Sequence, residues 1–117
     1  MKLEVGQFAR LKSGYSDELG IGKIDFVANC GVATIDFKNK KLGVFVEDIK
    51  KANYNIIDIL EVGDYVNGSP ICSFKTDEKD RIWIYTDSNY KCGYLENEIK
   101  TIVTHEQMEQ IAYKVVD

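Results

Sequence analysis

The chain is 117 residues long, which suits one ordinary domain or two very small units sharing a core. Its apolar and charged fractions, 44% and 29%, are those of a globular protein and exclude wholesale disorder. The formal charge of −4 is uneven: residues 1–58 carry nine Lys/Arg against eight Asp/Glu, and residues 59–117 carry six against eleven. An acidic half argues against duplex nucleic acid as a partner, because phosphate contacts need an excess of Lys and Arg. The same carboxylates suit docking on a basic protein surface, or solvation alone.

Seven Tyr and five Phe favour strands, and one Pro with nine Gly fits tight turns better than a linker. Cys30, Cys72 and Cys92 are odd in number and show no C-x-x-C spacing, against both a disulfide framework and a zinc site. No basic-then-apolar leader opens the chain, and no apolar run approaches the ~18–20 residues that span a bilayer. The expected setting is therefore reducing and cytoplasmic, away from the membrane.

One segment is written twice. Leu3-Glu4-Val5-Gly6-Gln7-Phe8-Ala9 returns as Leu60-Glu61-Val62-Gly63-Asp64-Tyr65-Val66, and Gly43–Lys50 is echoed by Gly93–Lys100. In chain order, Val5-Gly6 predicts a turn and Gln7–Leu11 a strand. Ser13–Gly22 reads as a Gly-rich loop, with Gly20-Ile21-Gly22-Lys23 as a β-turn lacking the spacing of a phosphate loop. Lys23–Val27 alternates, which puts Ile24 and Phe26 on one face. Val32–Phe37 and Gly43–Val46 follow as strands, and Glu47–Lys51 closes the unit. Residues 53–59, rich in Ile, predict a joint that packs against both units. Asn67-Gly68 predicts a two-residue hairpin, and Pro70 confines the next strand to a strand start or an edge. Arg81–Tyr85 alternates, with Ile82 and Ile84 opposite Trp83 and Tyr85. Thr104 and Gln107 match a capping box, which predicts a short helix, and Tyr113–Val116 predicts a last strand. The second copy is seven residues shorter than the first, and the Gly-rich loop is where the loss is expected.

No catalytic set emerges. His105 is the one histidine, has no ligand or base partners at useful spacing, and reads as a surface residue. Cys92 is the least poor nucleophile, while Cys30 and Cys72 read as small core residues. No cofactor or metal motif is present. Two groups of side chains are candidates for binding. Asp77, Glu78, Asp80, Glu96 and Glu98, with Trp83 and Tyr85 as anchors, form a partner-binding set for a basic protein surface. Arg10, Arg81, Lys91, Trp83 and Tyr90 offer the cations and rings that a nucleotide needs. The aromatic strand is either exposed in this way or buried on both faces. Lys38, Lys40, Lys41, Lys50 and Lys51 are the one basic concentration.

Asn55–Gly68 (NIIDILEVGDYVNG) and the tail from Ile99 to Gln107 (IKTIVTHEQ) resemble segments of small proteins encoded by phages and prophages of Gram-positive bacteria. That resemblance implies a mobile-element origin and carries no catalytic residues. The V-G-x-x-V opening of a strand is also similar to SH3-like folds. The expected fold is mostly β: two tandem SH3-like barrels related by duplication, residues 1–52 and 60–103, then a C-terminal helix and final strand in 104–117. The expected function is non-enzymatic. The leading expectation is an accessory protein that binds and inhibits a host factor, of the anti-CRISPR or another anti-defence type. A binder that sequesters a signalling nucleotide and an SH3-like nucleic-acid module are the alternatives, and a homo-oligomer is compatible with all three.

Overall fold

A computed structural model of the chain describes residues 2–14, 17–38 and 40–111, with only the backbone described for Asp17, Asn89, Tyr90, Lys91 and Ile111. The strands are β1 (Phe8–Leu11), β2 (Ile21–Val27), β3 (Val32–Asp36), β4 (Lys41–Phe45), β5 (Ile49–Asn53), β6 (Tyr65–Val66), β7 (Ser69–Thr76), β8 (Ile82–Thr86), β9 (Asn89–Tyr94) and β10 (Ile102–Val103), followed by helix α1 (His105–Ile111). They form two five-stranded antiparallel sheets, one of them curled as a half-barrel, in the orders β4-β3-β2-β1-β5 and β10-β6-β7-β8-β9. Read from opposite ends, the two orders coincide when β6 is set on β1 and β10 on β5. A 3-10 helix, Val46–Asp48 in one case and Glu96–Glu98 in the other, precedes the last strand of each sheet.

The repeated segment makes the same turn twice. Gly6 and Gly63 take φ of 96° and 97°, a left-handed conformation that a Cβ would oppose. The Gly6 N–H donates to the carbonyl of Ile24, and the Gly63 N–H to that of Ile71. Inside each turn a side chain closes the loop: Gln7 Oε1 accepts the Glu4 N–H at 2.9 Å, and Asp64 Oδ2 accepts the Glu61 N–H at 2.7 Å. A register shift follows at the same place in both sheets, skipping Asp25 after Ile24 and Cys72 after Ile71. Such bulges bend a strand and redirect the side chains beyond them.

Each sheet has its own core. Ala9, Leu11, Ile24, Ala33, Ile35, Phe37, Val44 and Ile49 fill the first, and Ile57, Leu60, Val66, Ile71 and Ile84 the second. Burial of each such Ile, Leu or Phe is worth roughly 1.5–3 kcal/mol. Between the sheets, a 3-10 helix at Ile56–Ile59 buries Ile57 and Ile59. Ile21 of β2 also packs against the second core. The Asn67-Gly68 hairpin joins β6 and β7 with φ of 53° and 85°, as a two-residue turn of this type needs. The shortening falls in the expected loop: the connection from β1 to β2 spans nine residues where that from β6 to β7 spans two.

Several expectations are corrected. Phe26 does not share the buried face of Ile24, because the bulge at Asp25 turns it outward, 59% exposed. Ile21-Gly22-Lys23 is strand rather than turn, with Gly22 fitted tightly against β3, where a Cβ would meet Ile35 and Phe37 at 2.6 and 2.7 Å. Cys30 and Cys72 are exposed, not core: Cys30 sits in the β2–β3 turn and Cys72 on the β7 bulge. Residues 49–53, expected as the close of the unit and the start of the joint, form strand β5. The last strand expected at Tyr113–Val116 lies outside the described residues. No described helix is long and apolar enough to cross a membrane.

Candidate functional site

The most concentrated chemistry in the molecule lies where the two sheets and α1 meet. Arg10, in the middle of β1, is 1% exposed, and it is the largest fully buried side chain among the described residues. Its Nη1 and Nη2 donate to Asp64 Oδ2 and Oδ1 at 2.5 and 2.7 Å, a bidentate pair. Nη2 also donates to Glu106 Oε1 at 2.5 Å, and Nη1 to the Ile59 carbonyl at 3.1 Å. Burial alone would lower the pKa of Arg10, but the bonds and charges of Asp64 and Glu106 outweigh it and raise the pKa.

Glu61 collects two lysines and the histidine. Lys50 Nζ stands 2.8 Å and Lys51 Nζ 3.3 Å from its Oε2, and the His105 Nε2–H donates to its Oε1 at 2.8 Å. Consecutive strand residues normally point to opposite faces. Lys50 and Lys51 both reach Glu61 because β5 pairs with β1 through Lys51 and Ile49, skipping Lys50 in a bulge. Burial pushes Glu61 up, but the bonds from Lys50 and His105 and the charge of Arg10 prevail and bring its pKa down to about 2. Asp64 Oδ1 further accepts the backbone N–H of His105 at 2.9 Å, so the turn before β6 also holds the first turn of α1. The capping box forms as expected, with the Thr104 N–H on Gln107 Oε1 and the Gln107 N–H on Thr104 Oγ1.

The polarity of this network is ordered. The first sheet supplies Arg10, Lys50 and Lys51, and the second segment supplies Glu61, Asp64 and Glu106. Part of the charge asymmetry between the halves is therefore consumed inside the molecule. Glu61, His105 and Glu106 bring ligand atoms within 4.8 Å of one another, close enough for a metal ion. The position is already taken electrostatically: Lys50 Nζ stands 2.8 Å from Glu61 Oε2 and 3.7 Å from Glu106 Oε2, between the carboxylates that a cation would need. The arrangement fits a clamp between the sheets better than a metal centre or an acid–base pair.

Sequence reasoning misses most of this cluster. It offers Arg10 to a nucleotide and His105 to the surface; instead Arg10 is sealed in the clamp and His105 is half-buried on Glu61. The available signals are a charged residue inside the apolar strand Phe8–Leu11 and the exchange of Gln7 for Asp64 between the copies.

The second concentration is the β7–β8 hairpin. Trp83 and Tyr85 lie on the outer face of β8, half-buried, opposite the fully buried Ile84. The Trp83 Nε1–H donates to Asp77 Oδ2 at 2.9 Å, and Arg81 Nε donates to the same oxygen at 2.8 Å. The N–H groups of Lys79 and Arg81 donate to Asp77 Oδ1. These bonds, that of Trp83 foremost, hold the Asp77 carboxyl well below the usual carboxylate range. Arg81 stands over the Trp83 ring at 5.6 Å, and Lys75 over Tyr85 at 5.3 Å.

Among the residues expected to meet a partner, Asp77 is thus engaged within its own hairpin, while Glu78 and Asp80 are exposed at its tip. Glu96 and Glu98 lie on the 3-10 helix that packs beside β8, and the Glu98 carboxylate accepts the Leu95 N–H. Of the nucleotide set, Arg81 and Trp83 are in contact, Arg10 is remote in the clamp, and the side chains of Tyr90 and Lys91 lie outside those described. The basic concentration is dispersed: Lys50 and Lys51 serve the clamp, and Lys41 pairs with Asp25 at 3.0 Å. Cys72 donates its S–H to Asp87 Oδ1 at 2.7 Å, which pushes its thiol pKa up, away from nucleophilic use. Compared with known proteins, the chain matches no family model, no curated protein and no solved structure.

Proposed function

We propose that this chain is a non-catalytic binding protein that docks on, and so inhibits, a host protein with a basic surface, as an accessory factor of the mobile-element kind that its Asn55–Gly68 and Ile99–Gln107 segments resemble. It works in the cytoplasm of the host cell. The observation that supports this reading is the outer face of β8. Trp83 and Tyr85 are side by side and partly exposed, and Asp77 fixes the indole by a hydrogen bond. A large ring already held in one orientation loses little freedom on binding, which is what a docking anchor needs. The acidic tip at Glu78 and Asp80 supplies steering charge toward a basic partner.

The architecture that carries this face is, in our reading, a pair of SH3-like barrels that arose by duplication. Its support is the shared strand order, the 3-10 helix before each last strand, the matched glycine turns and the matched bulges. Two rigid half-molecules clamped through Arg10 would present the β8 face from a stiff scaffold.

The test is capture from a lysate of the host at two salt concentrations, using the wild type, Trp83→Ala, and Glu78→Lys with Asp80→Lys. One specific protein should be retained by the wild type and lost on Trp83→Ala. The charge reversal should slow association and weaken its salt dependence. Equal capture by all three proteins would place the interface elsewhere and defeat this reading.

A further inference from the structure

A groove of about 1020 Å³ runs between the two sheets, and neither Trp83 nor Tyr85 lines it. Its walls come from Phe8 of β1 and Phe37 beyond β3, and from Ile56 and Ile99 on the opposite side. Lys23, Lys38 and Lys100 line it, together with Asp36 and Glu96. We propose that this groove binds a small phosphorylated ligand with a planar apolar body, of nucleotide size. This goes beyond the partner-docking reading and uses none of its residues, apart from Glu96 at the margin.

Charge carries the first half of the proposal. Arg10, Lys41, Lys50, Lys51 and Arg81 all stand within ion-pair distance of a carboxylate. Lys23, Lys38 and Lys100 pair with no carboxylate among the described residues. Three lysines against two carboxylates leave the groove locally positive in a chain whose formal charge is −4. A lysine ammonium is a point charge suited to phosphate oxygens, whatever the rest of the ligand.

Shape and apolar surface carry the second half. The volume lies at the upper end of the ~300–1,000 Å³ typical of small-molecule sites, ample for a nucleotide. Lys23 Nζ stands 5.3 Å from the centre of the Phe8 ring, so an aromatic face and a cation meet at one point of the wall. A base or similar heterocycle stacked there would place its phosphate against the lysines, and Asp36 would accept from its amino or hydroxyl groups. Gly22 fixes this wall, because any side chain there would displace Phe37.

The experiment is titration calorimetry of the full chain with ADP, GDP, CDP and UDP, and with adenosine and inorganic phosphate as separate arms. At least one diphosphate should bind, and both adenosine and phosphate should bind more weakly than it does. The double variant Lys23→Glu with Lys100→Glu, at solvent-exposed positions, should weaken that binding about tenfold or more. Trp83→Ala should leave it unchanged, which separates this site from the partner-docking face. Silence across the four diphosphates, binding that the double variant leaves intact, or displacement of the nucleotide by an equal concentration of oligothymidylate would overturn the proposal.

Discussion

The turn before β1 and the turn before β6 have the same backbone and differ in what one side chain does. At the first, the amide of Gln7 accepts the Glu4 N–H, and the Glu4 carboxylate reaches, among the described residues, the exposed Lys2 and Tyr54 hydroxyl. At the second, the carboxylate of Asp64 makes the same bond to the Glu61 N–H and in addition seats the guanidinium of Arg10. A neutral amide serves one turn, whereas a carboxylate in the same place links two sheets and a helix. A single change of side chain on a shared backbone can thus convert a local cap into a joint between units.

Breaking that difference should produce the largest effect in the molecule. Asp64→Ala leaves Arg10 buried with only part of its charge answered, and loss of one member of a buried pair costs about 3–5 kcal/mol. Gln7→Ala removes one hydrogen bond at a turn, worth about 1 kcal/mol. Urea unfolding of the two variants measures the contrast directly. Equal losses would mean that Asp64 is no more than a turn cap.

Acid should loosen the clamp next. The Glu61 carboxyl, brought against its own burial from 4.5 down to about 2 by Lys50, His105 and Arg10, holds fewer protons folded than unfolded across that interval. Its stabilisation is complete above about pH 4.5 and fades as the pH falls toward 2, a change of at most about 3 kcal/mol because solvent on the Lys50 and Lys51 side screens part of it. Glu61→Gln should lower stability at neutral pH and flatten this part of the pH profile. Thermal melts of both proteins at steps between pH 5 and 2 check the sign, and parallel profiles would show that Glu61 has no special share in the joint.

The parts of this contrast that are legible in the sequence are local ones. Gly6, Gly63 and Asn67-Gly68 announce their turns because left-handed backbone needs those residues, and Thr104 with Gln107 announces the helix because the capping bonds are three residues apart. Alternation gives Trp83 and Tyr85 their face correctly but fails at Phe26. A bulge inserts one residue and flips everything beyond it, and neither Asp25 nor Lys50 marks itself as a bulge. The clamp is hidden for another reason. Arg10 lies 54 residues from Asp64 and 96 from Glu106, and such pairings follow from topology alone.

The two connections after these turns offer a final, smaller contrast. The long β1–β2 connection ends at Gly20, with φ of 72°, where a Cβ would collide with Gln107 Oε1. Gln107 is the same residue that caps α1 and whose Nε2–H reaches the Glu18 carbonyl, so this connection is the seat of the helix. Gly20→Ala should therefore combine backbone strain with damage to the cap, about 2–3 kcal/mol in all. The short β6–β7 connection has Gly68 at φ of 85°, where a Cβ would find nothing within 4 Å, so Gly68→Ala meets backbone strain alone, about 1–2 kcal/mol. Amide hydrogen exchange should separate them further. Gly20→Ala speeds exchange across α1, because Gln107 is moved off Thr104, while Gly68→Ala speeds it only around β6 and β7. Loss of protection in α1 from both variants alike would show that the helix depends on the second sheet as a whole rather than on the long connection beneath it.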